Sequence, residues 1–356
     1  MLHIQDSPYI KTIHYENADD FLKAISYKGE LYNLFDKQYI YRGHSTDEYE
    51  LIPTALRGNL VQDTVNSNKL NSADERYLFD SLAQTEFAQI LQEYNLLQDF
   101  YRVCDTCGLY IPHVESLRNS LFPGVDAETL FCKSKWIPKK YWELAALAQH
   151  YGVKTRLLDW THDIYVALYF ATKGVYYDSK EKNHLLKAFA AFREGDNYSP
   201  KHNLEIWALR TNLVIYNPKI PLHIIQPRYH DNDNLCAQKG MLTFWESDYP
   251  GVLDKEGKPN FKACVKQITN RKSLDVLLDS YLRENKATEV PILYQITIPQ
   301  DTAYEIYSFV ERIGYNASTM FPGYVGVAKF LKEHSEIHSK EKNKKYRESK
   351  KTETGI

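Results

Sequence analysis

Between Tyr141 and Gly152, the apolar positions Leu144, Leu147, Ala148 and Tyr151 fall at i, i+3, i+4 and i+7, one face of a helix that Gly152 closes. A second helix is predicted to begin near Thr161 or Asp163, either of which can cap its free N–H groups, and to stop at Gly174. Its Ala167 and Ala171, four residues apart, leave room for another backbone to approach closely. The eight residues between these helices, VKTRLLDW, read as a connection. Upstream, Ala18 to Ile25 has helical spacing and ends before Gly29. QYIYRG then alternates bulky, β-prone residues as a strand ending at Gly43, and STDEYELIPTALRG reads as a loop with Pro53.

Residues 71–109 are strongly periodic and rich in helix formers, which predicts one or two amphipathic helices. Pro112, Pro123 and Pro138 break the stretch that follows, so residues 60–140 read as a helical insertion between two parts of one domain, 1–334. In the second half EIWALRT, PLHIIQ, MLTFW and ILYQITI look like strands. PQDTAYEIYSFVERIG follows as a helix stopped by Gly314, and YVGVAKFLKEH as a short final helix. Residues 335–356 are polar and Lys-rich, and are expected to form a solvated, disordered tail.

Composition narrows the picture mainly by exclusion. The formal net charge is −2 at pH 7, so no global field calls for a nucleic-acid or membrane partner. The chain has no apolar run of about eighteen residues, and its start lacks the basic-then-apolar pattern of a signal peptide. Five cysteines without framework spacing suit a reducing cytoplasm. Cys104 and Cys107 form a C-x-x-C without a second pair, and read as two half-buried thiols at a helix end rather than a metal site. No Walker A, G-x-G-x-x-G, H-E-x-x-H or protease-type arrangement is present.

Candidate chemistry concentrates in two places. Arg42 sits between apolar Tyr41 and bare Gly43, where a guanidinium can fork onto a phosphate or carboxylate while the glycine lets the ligand approach; His44 and Ser45 would add donors. A buried structural Arg–Asp pair is the alternative. The second place is QHYGVKTRLLDWT. Arg156 and Asp159 flank two leucines, and charges drawn inward must be paired, so Asp159 is expected to hold Arg156 or Arg42. Gln149, His150 and Thr161 would converge on the same spot, and a helix start near Thr161 favours an anion. Tyr169 is either a core aromatic or a ring that stacks on a planar heterocycle. Arg228, Asn234, Gln238 and Gly240 precede the strand Met241 to Trp245; the amides and the glycine either line a site or make a tight turn, and Glu246 is the nearest acid after them.

The segments Tyr41-Arg42-Gly43, Gln149-His150-Tyr151-Gly152, Thr155-Arg156-Leu157-Leu158-Asp159-Trp160-Thr161 and Ala167-Leu168-Tyr169-Phe170-Ala171 together resemble the FRG-domain family. Gln238 and Gly240 with Phe244, and Gly314 to Phe321-Pro322, extend the resemblance over roughly 20–330. The aromatic-Arg-Gly strand is in turn similar to the first motif of Arg-Ser-Glu ADP-ribosyltransferases. The resemblance implies an α+β fold with a mixed or antiparallel sheet core, and NAD as cofactor. Arg42 would grip the pyrophosphate, His44 or Ser45 the ribose, and Tyr169 the nicotinamide. Gly43, Gln149, His150, Thr155, Arg156, Asp159 and Thr161 would complete the binding site. The late catalytic Glu of that class falls where this chain reads Gln238-Lys239-Gly240, so Glu246 is the candidate acid beside Gln238.

These readings lead to an expected ADP-ribosyltransferase or NAD glycohydrolase, acting on a protein or nucleic-acid acceptor or on water, in a toxin or phage-defence effector. A non-catalytic nucleotide- or nucleic-acid-binding module is the second expectation. The third is a metal-independent nuclease with His44 and His150 as base and acid.

Overall fold

Alternation along the strands sorts residues onto the two faces of one sheet. In β2 (Tyr39–His44), Tyr39 and Tyr41 enter one buried cluster and Ile40 another. In β5 (Asn203–Arg210), Leu204, Ile206 and Ala208 face the first, Trp207 and Leu209 the other. This period of two is what a pleated strand with both faces covered requires. The computed structural model describes residues 7–34, 38–58, 84–118, 134–177, 202–230, 232–249 and 266–354.

With β1 (Ile10–His14), β4 (Leu158–Thr161), β6 (Leu222–Ile225), β7 (Gly240–Trp245) and β9 (Leu293–Pro299), these strands form a seven-stranded sheet in the order β1-β9-β5-β2-β4-β7-β6. The β1–β9 pair is parallel and the others antiparallel, a mixed sheet in an α+β fold. A two-stranded ribbon joins β3 (Ser134–Trp136) to β8 (Ser247–Tyr249).

The helices of eight residues or more among the described residues are α1 (Ala18–Ile25), α2 (Glu86–Thr106), α3 (Trp142–His150), α4 (Ile164–Tyr177), α5 (Leu274–Glu284), α6 (Ala303–Arg312) and α7 (Tyr324–Thr354). α1, α4, α6 and the first part of α7 cover one face, with Phe21, Leu168, Tyr169, Ile306 and Ile337 in that core. α5 packs on the other face beside β2 and β5, while α2 and α3 build a third cluster near β7. Among the described residues no helix is long and apolar enough to cross a membrane.

Several expectations change here. VKTRLLDW is a connection only as far as Leu157: Leu158–Thr161 is a strand between β2 and β7. Four residues are too short a run to show strand periodicity. α4 runs past Gly174 to Tyr177. The expected tail from Ser335 continues α7 through Thr354, and Ile337 is fully buried in the first core. A Lys- and Glu-rich sequence without a breaker has good helix propensity, and an apolar residue anchors its start. Within the expected insertion at 60–140, α2 is present with Cys104 buried and Cys107 exposed at its end; residues 59–83 and 119–133 lie outside the described residues.

Gly43 has a different role from the one expected. A Cβ there would lie 2.0 Å from the carbonyl oxygen of Ala167 and 3.0 Å from the Ala171 Cβ. The small residues of α4 therefore allow this helix onto β2, and Gly43 is bare for the helix backbone as much as for any ligand.

Candidate functional site

The three strands β2, β4 and β7 bring the distant motifs together. Tyr41 pairs with Thr161, and Thr161 with Gly240. Tyr41↔Thr161 is the registered pair between β2 and β4, and beyond it the Arg42 Nη1 donates to the Asp159 carbonyl oxygen at 2.7 Å. A side chain thus satisfies a carbonyl where the strands part, and the cleft between them opens into a cavity of about 560 Å³.

Arg42, Gly43, Gln149, His150, Asp159, Thr161, Gln238 and Gly240 all line this cavity. The Arg42 Nε donates to His44 Nε2 at 3.0 Å, and Nη1 lies 3.8 Å from the Asp159 carboxylate. Its Nη2 donates to no group among the described residues. Asp159 is largely exposed and accepts from Gln149 Nε2 at 2.6 Å, while Thr155 Oγ1 donates to Gln149 Oε1. Thr155, Gln149, Asp159 and Arg42 thus form one chain of hydrogen bonds that sets the guanidinium in place. Burial lowers the His150 imidazole, against the pull of Asp159, and favours its neutral form.

Thr161 Oγ1 donates to the Gln238 carbonyl at 2.8 Å and accepts from the Asp163 N–H at 3.0 Å. Asp163 in turn accepts the Tyr165 N–H at 2.9 Å. The start of α4 is therefore capped by its own residues, which leaves fewer free donors for an anion than the sequence implies. Gln238 Nε2 donates to the Met320 carbonyl at 3.1 Å, and Lys239, at φ 47°, salt-bridges Asp163 at 2.6 Å. The Gln238-Lys239-Gly240 segment is thus a turn that also lines the cavity.

Other candidate residues lie elsewhere. Arg156 is buried and turned away, with Nε 2.7 Å from Glu93 and Nη1 3.0 Å from Glu86, both on α2. Its partner is not Asp159, and it does not line the cavity. Thr155 acts behind Gln149. Tyr169 is fully buried and donates to Glu333 at 2.8 Å, so it is a core aromatic. Ser45 is buried, and its carbonyl accepts from Gln300 Nε2 at 2.7 Å. Glu246 closes the far end of β7, bound to Lys135 and, at 2.9 Å, to His223. Gly240 meets the cavity at one end of β7, and six residues of strand carry Glu246 about 20 Å away. It cannot serve as the acid of this site.

His44 sits behind Arg42. It takes the Nε–H of Arg42 on Nε2, which places its own proton on Nδ1, 2.9 Å from Glu205 Oε2. Burial, with the positive charges of Arg42 and Arg57, keeps the imidazole well below its usual value. Enclosed and neutral, it is not available as a partner for His150 in acid–base cleavage. Glu205 also accepts from Trp207 Nε1 and Gln295 Nε2, each at 2.6 Å. Burial pushes its carboxyl up to about 8, against those two donors.

Glu205 escaped sequence reading, because only the β2–β5 register, His44↔Glu205, reveals it. Phe170, Phe321 and Lys329 were also missed as lining residues, and the Lys329 Nζ stands 3.9 Å from the centre of the Phe321 ring. Phe170 and Phe321 do lie within the motifs that carry the family resemblance, which was the available signal.

No curated protein and no solved structure matches the chain. Residues 37–183 match the FRG domain family, a segment that holds Arg42, Gln149, His150, Asp159, Thr161 and Phe170 and stops short of Gln238, Phe321 and Lys329. The chain therefore carries an FRG domain, with one wall of its cavity built by sequence outside the matched segment.

Proposed function

We propose that the cavity binds a nucleotide, with phosphate on Arg42 and a ring against Phe170 and Phe321; NAD is the first ligand to try. The observation that carries this reading is the Arg42 guanidinium, held from two sides with Nη2 unshared among the described residues, facing a cavity whose lining includes Phe170, Phe321 and Lys329. A fixed fork suits phosphate, and aromatic faces suit a planar heterocycle. The volume is in the usual range for small-molecule sites.

Binding without turnover is the form of the proposal that the site's chemistry favours. Among the described lining residues Asp159 is the one carboxylate, and it already faces Arg42 and Gln149. ADP-ribosyl transfer or NAD hydrolysis would have to use Asp159, in place of Glu246, to stabilise the ribosyl cation. A toxin or phage-defence role would follow from such turnover.

Calorimetric titration of NAD, ADP-ribose and a dinucleotide RNA into the full chain tests the reading, with nicotinamide release followed in parallel. Binding is expected, weakened about 10- to 100-fold in Arg42→Ala, as loss of a charge-assisted contact requires. No affinity for any of the three, or equal affinity in Arg42→Ala, would remove the proposal. Nicotinamide release that disappears in Asp159→Asn would replace the binding form with the catalytic one.

A further inference from the structure

We propose that Glu311, His334 and His338 form a binding site for a divalent transition metal of the zinc class, joining α6 to α7. His334 and His338 are four residues apart on α7 and so share a face of the helix, and Glu311 lies in the last turn of α6. The ligand atoms all lie within 4.8 Å of one another. His334 Nδ1 is 3.1 Å from Glu311 Oε1, and His338 Nε2 is 3.0 Å from Glu311 Oε2. Donor atoms around a tetrahedral zinc, at about 2.0–2.1 Å from the ion, lie roughly 3.3–3.5 Å apart. Each imidazole nitrogen thus stands within a few tenths of an ångström of that spacing from its Glu311 oxygen, and the three ligand atoms are already gathered within 4.8 Å.

The groups behind the ligands fit the same assignment. The Tyr304 hydroxyl lies 2.8 Å from His338 Nδ1, where it can accept the N–H of a ring that ligates through Nε2. The Tyr307 hydroxyl donates to Glu311 Oε1 at 3.3 Å. Such outer partners orient metal-binding imidazoles and carboxylates. The His334 side chain is about half exposed, at 52%, and that of His338 is 24% exposed, so water can supply the fourth ligand. The donor set, two imidazoles and one carboxylate, suits zinc rather than calcium or magnesium. An ion here would fasten α7 to α6, and with it the turns that bring Lys329 to the cavity.

The full chain, stripped with chelator, is titrated with zinc chloride by calorimetry and then melted with and without zinc. One ion per chain is expected, with at least tenfold weaker binding in His334→Asn and in His338→Gln. At about a hundredfold excess over Kd the melting temperature should rise by roughly 3–4 °C. His334 is exposed enough for its variant to fold, and circular dichroism checks both. Cobalt(II) should give the visible bands of a nitrogen- and oxygen-ligated ion without thiolate charge transfer. No binding, unchanged affinity in both variants, or a thiolate band pointing to cysteines such as Cys104 and Cys107 would each overturn the proposal. None of these readouts depends on the nucleotide reading.

Discussion

Replacing Arg156 with methionine should destabilise the fold and leave ligand affinity at the cavity unchanged. Arg156 is 3% exposed and holds two buried carboxylates, Glu86 and Glu93, through three hydrogen bonds of 2.7–3.0 Å. Burial alone would depress its guanidinium, yet Glu93 and Glu86 together hold it above its ordinary value. In the variant Glu93 keeps the Trp136 and Gln89 donors, but Glu86 loses its ion-pair partner. Removing one member of a buried ion pair costs about 3–5 kcal/mol, because the charge left behind is desolvated without compensation. An unfolding entropy of about 2.1 cal/mol/K per residue over this chain gives about 0.75 kcal/mol per degree. The expected fall in melting temperature is therefore roughly 4–7 °C, read by differential scanning calorimetry at neutral pH. Adding Glu86→Gln and Glu93→Gln to Arg156→Met should recover much of the loss, since no stranded charge then remains. An unchanged melting temperature in Arg156→Met, or a lost ligand affinity in a variant that is still folded, would refute the assignment of Arg156 to the interior.

Three further outcomes follow from particular contacts. Gly43→Ala places a methyl 2.0 Å from the Ala167 carbonyl, so α4 must shift; a loss of at least 1–3 kcal/mol is expected by denaturant titration, and an unchanged midpoint would argue against the packing. Glu205 has its carboxyl raised to about 8 by burial, so it holds a proton in the folded state that the unfolded chain releases at lower pH. The parent therefore loses stability as pH rises from about 5 to 8, and melting temperatures of Glu205→Gln relative to the parent should move in the variant's favour over that window and level off above it. Tyr169→Phe removes one donor from buried Glu333, which keeps Lys173 at 2.7 Å, so about 1 kcal/mol of stability should go while ligand affinity stays; weakened affinity in the titration would return Tyr169 to the site.

The sequence alone determined the local patterns. Helical spacing located α1, α3, α4 and α6, alternation located β2, β5, β7 and β9, and the convergence of Arg42, Gln149, His150, Asp159 and Thr161 on one cavity was legible from residue types that have little reason to crowd together otherwise. Tertiary structure decided which of those charges face the cavity. Arg156 and Asp159 are three residues apart, but only Asp159 lies in β4, and a glutamate pair on α2, more than sixty residues upstream in the chain, claims the arginine. The chain folds Leu158–Thr161 as a strand because β2 and β7 supply its partners, which no local propensity encodes. Glu246 lost its expected role to strand length, and Tyr169 to a carboxylate on α7. In each case a residue's type sets the interactions it can make, while long-range pairing sets which one it makes, since a buried charge or hydroxyl must find its partner wherever the fold places one.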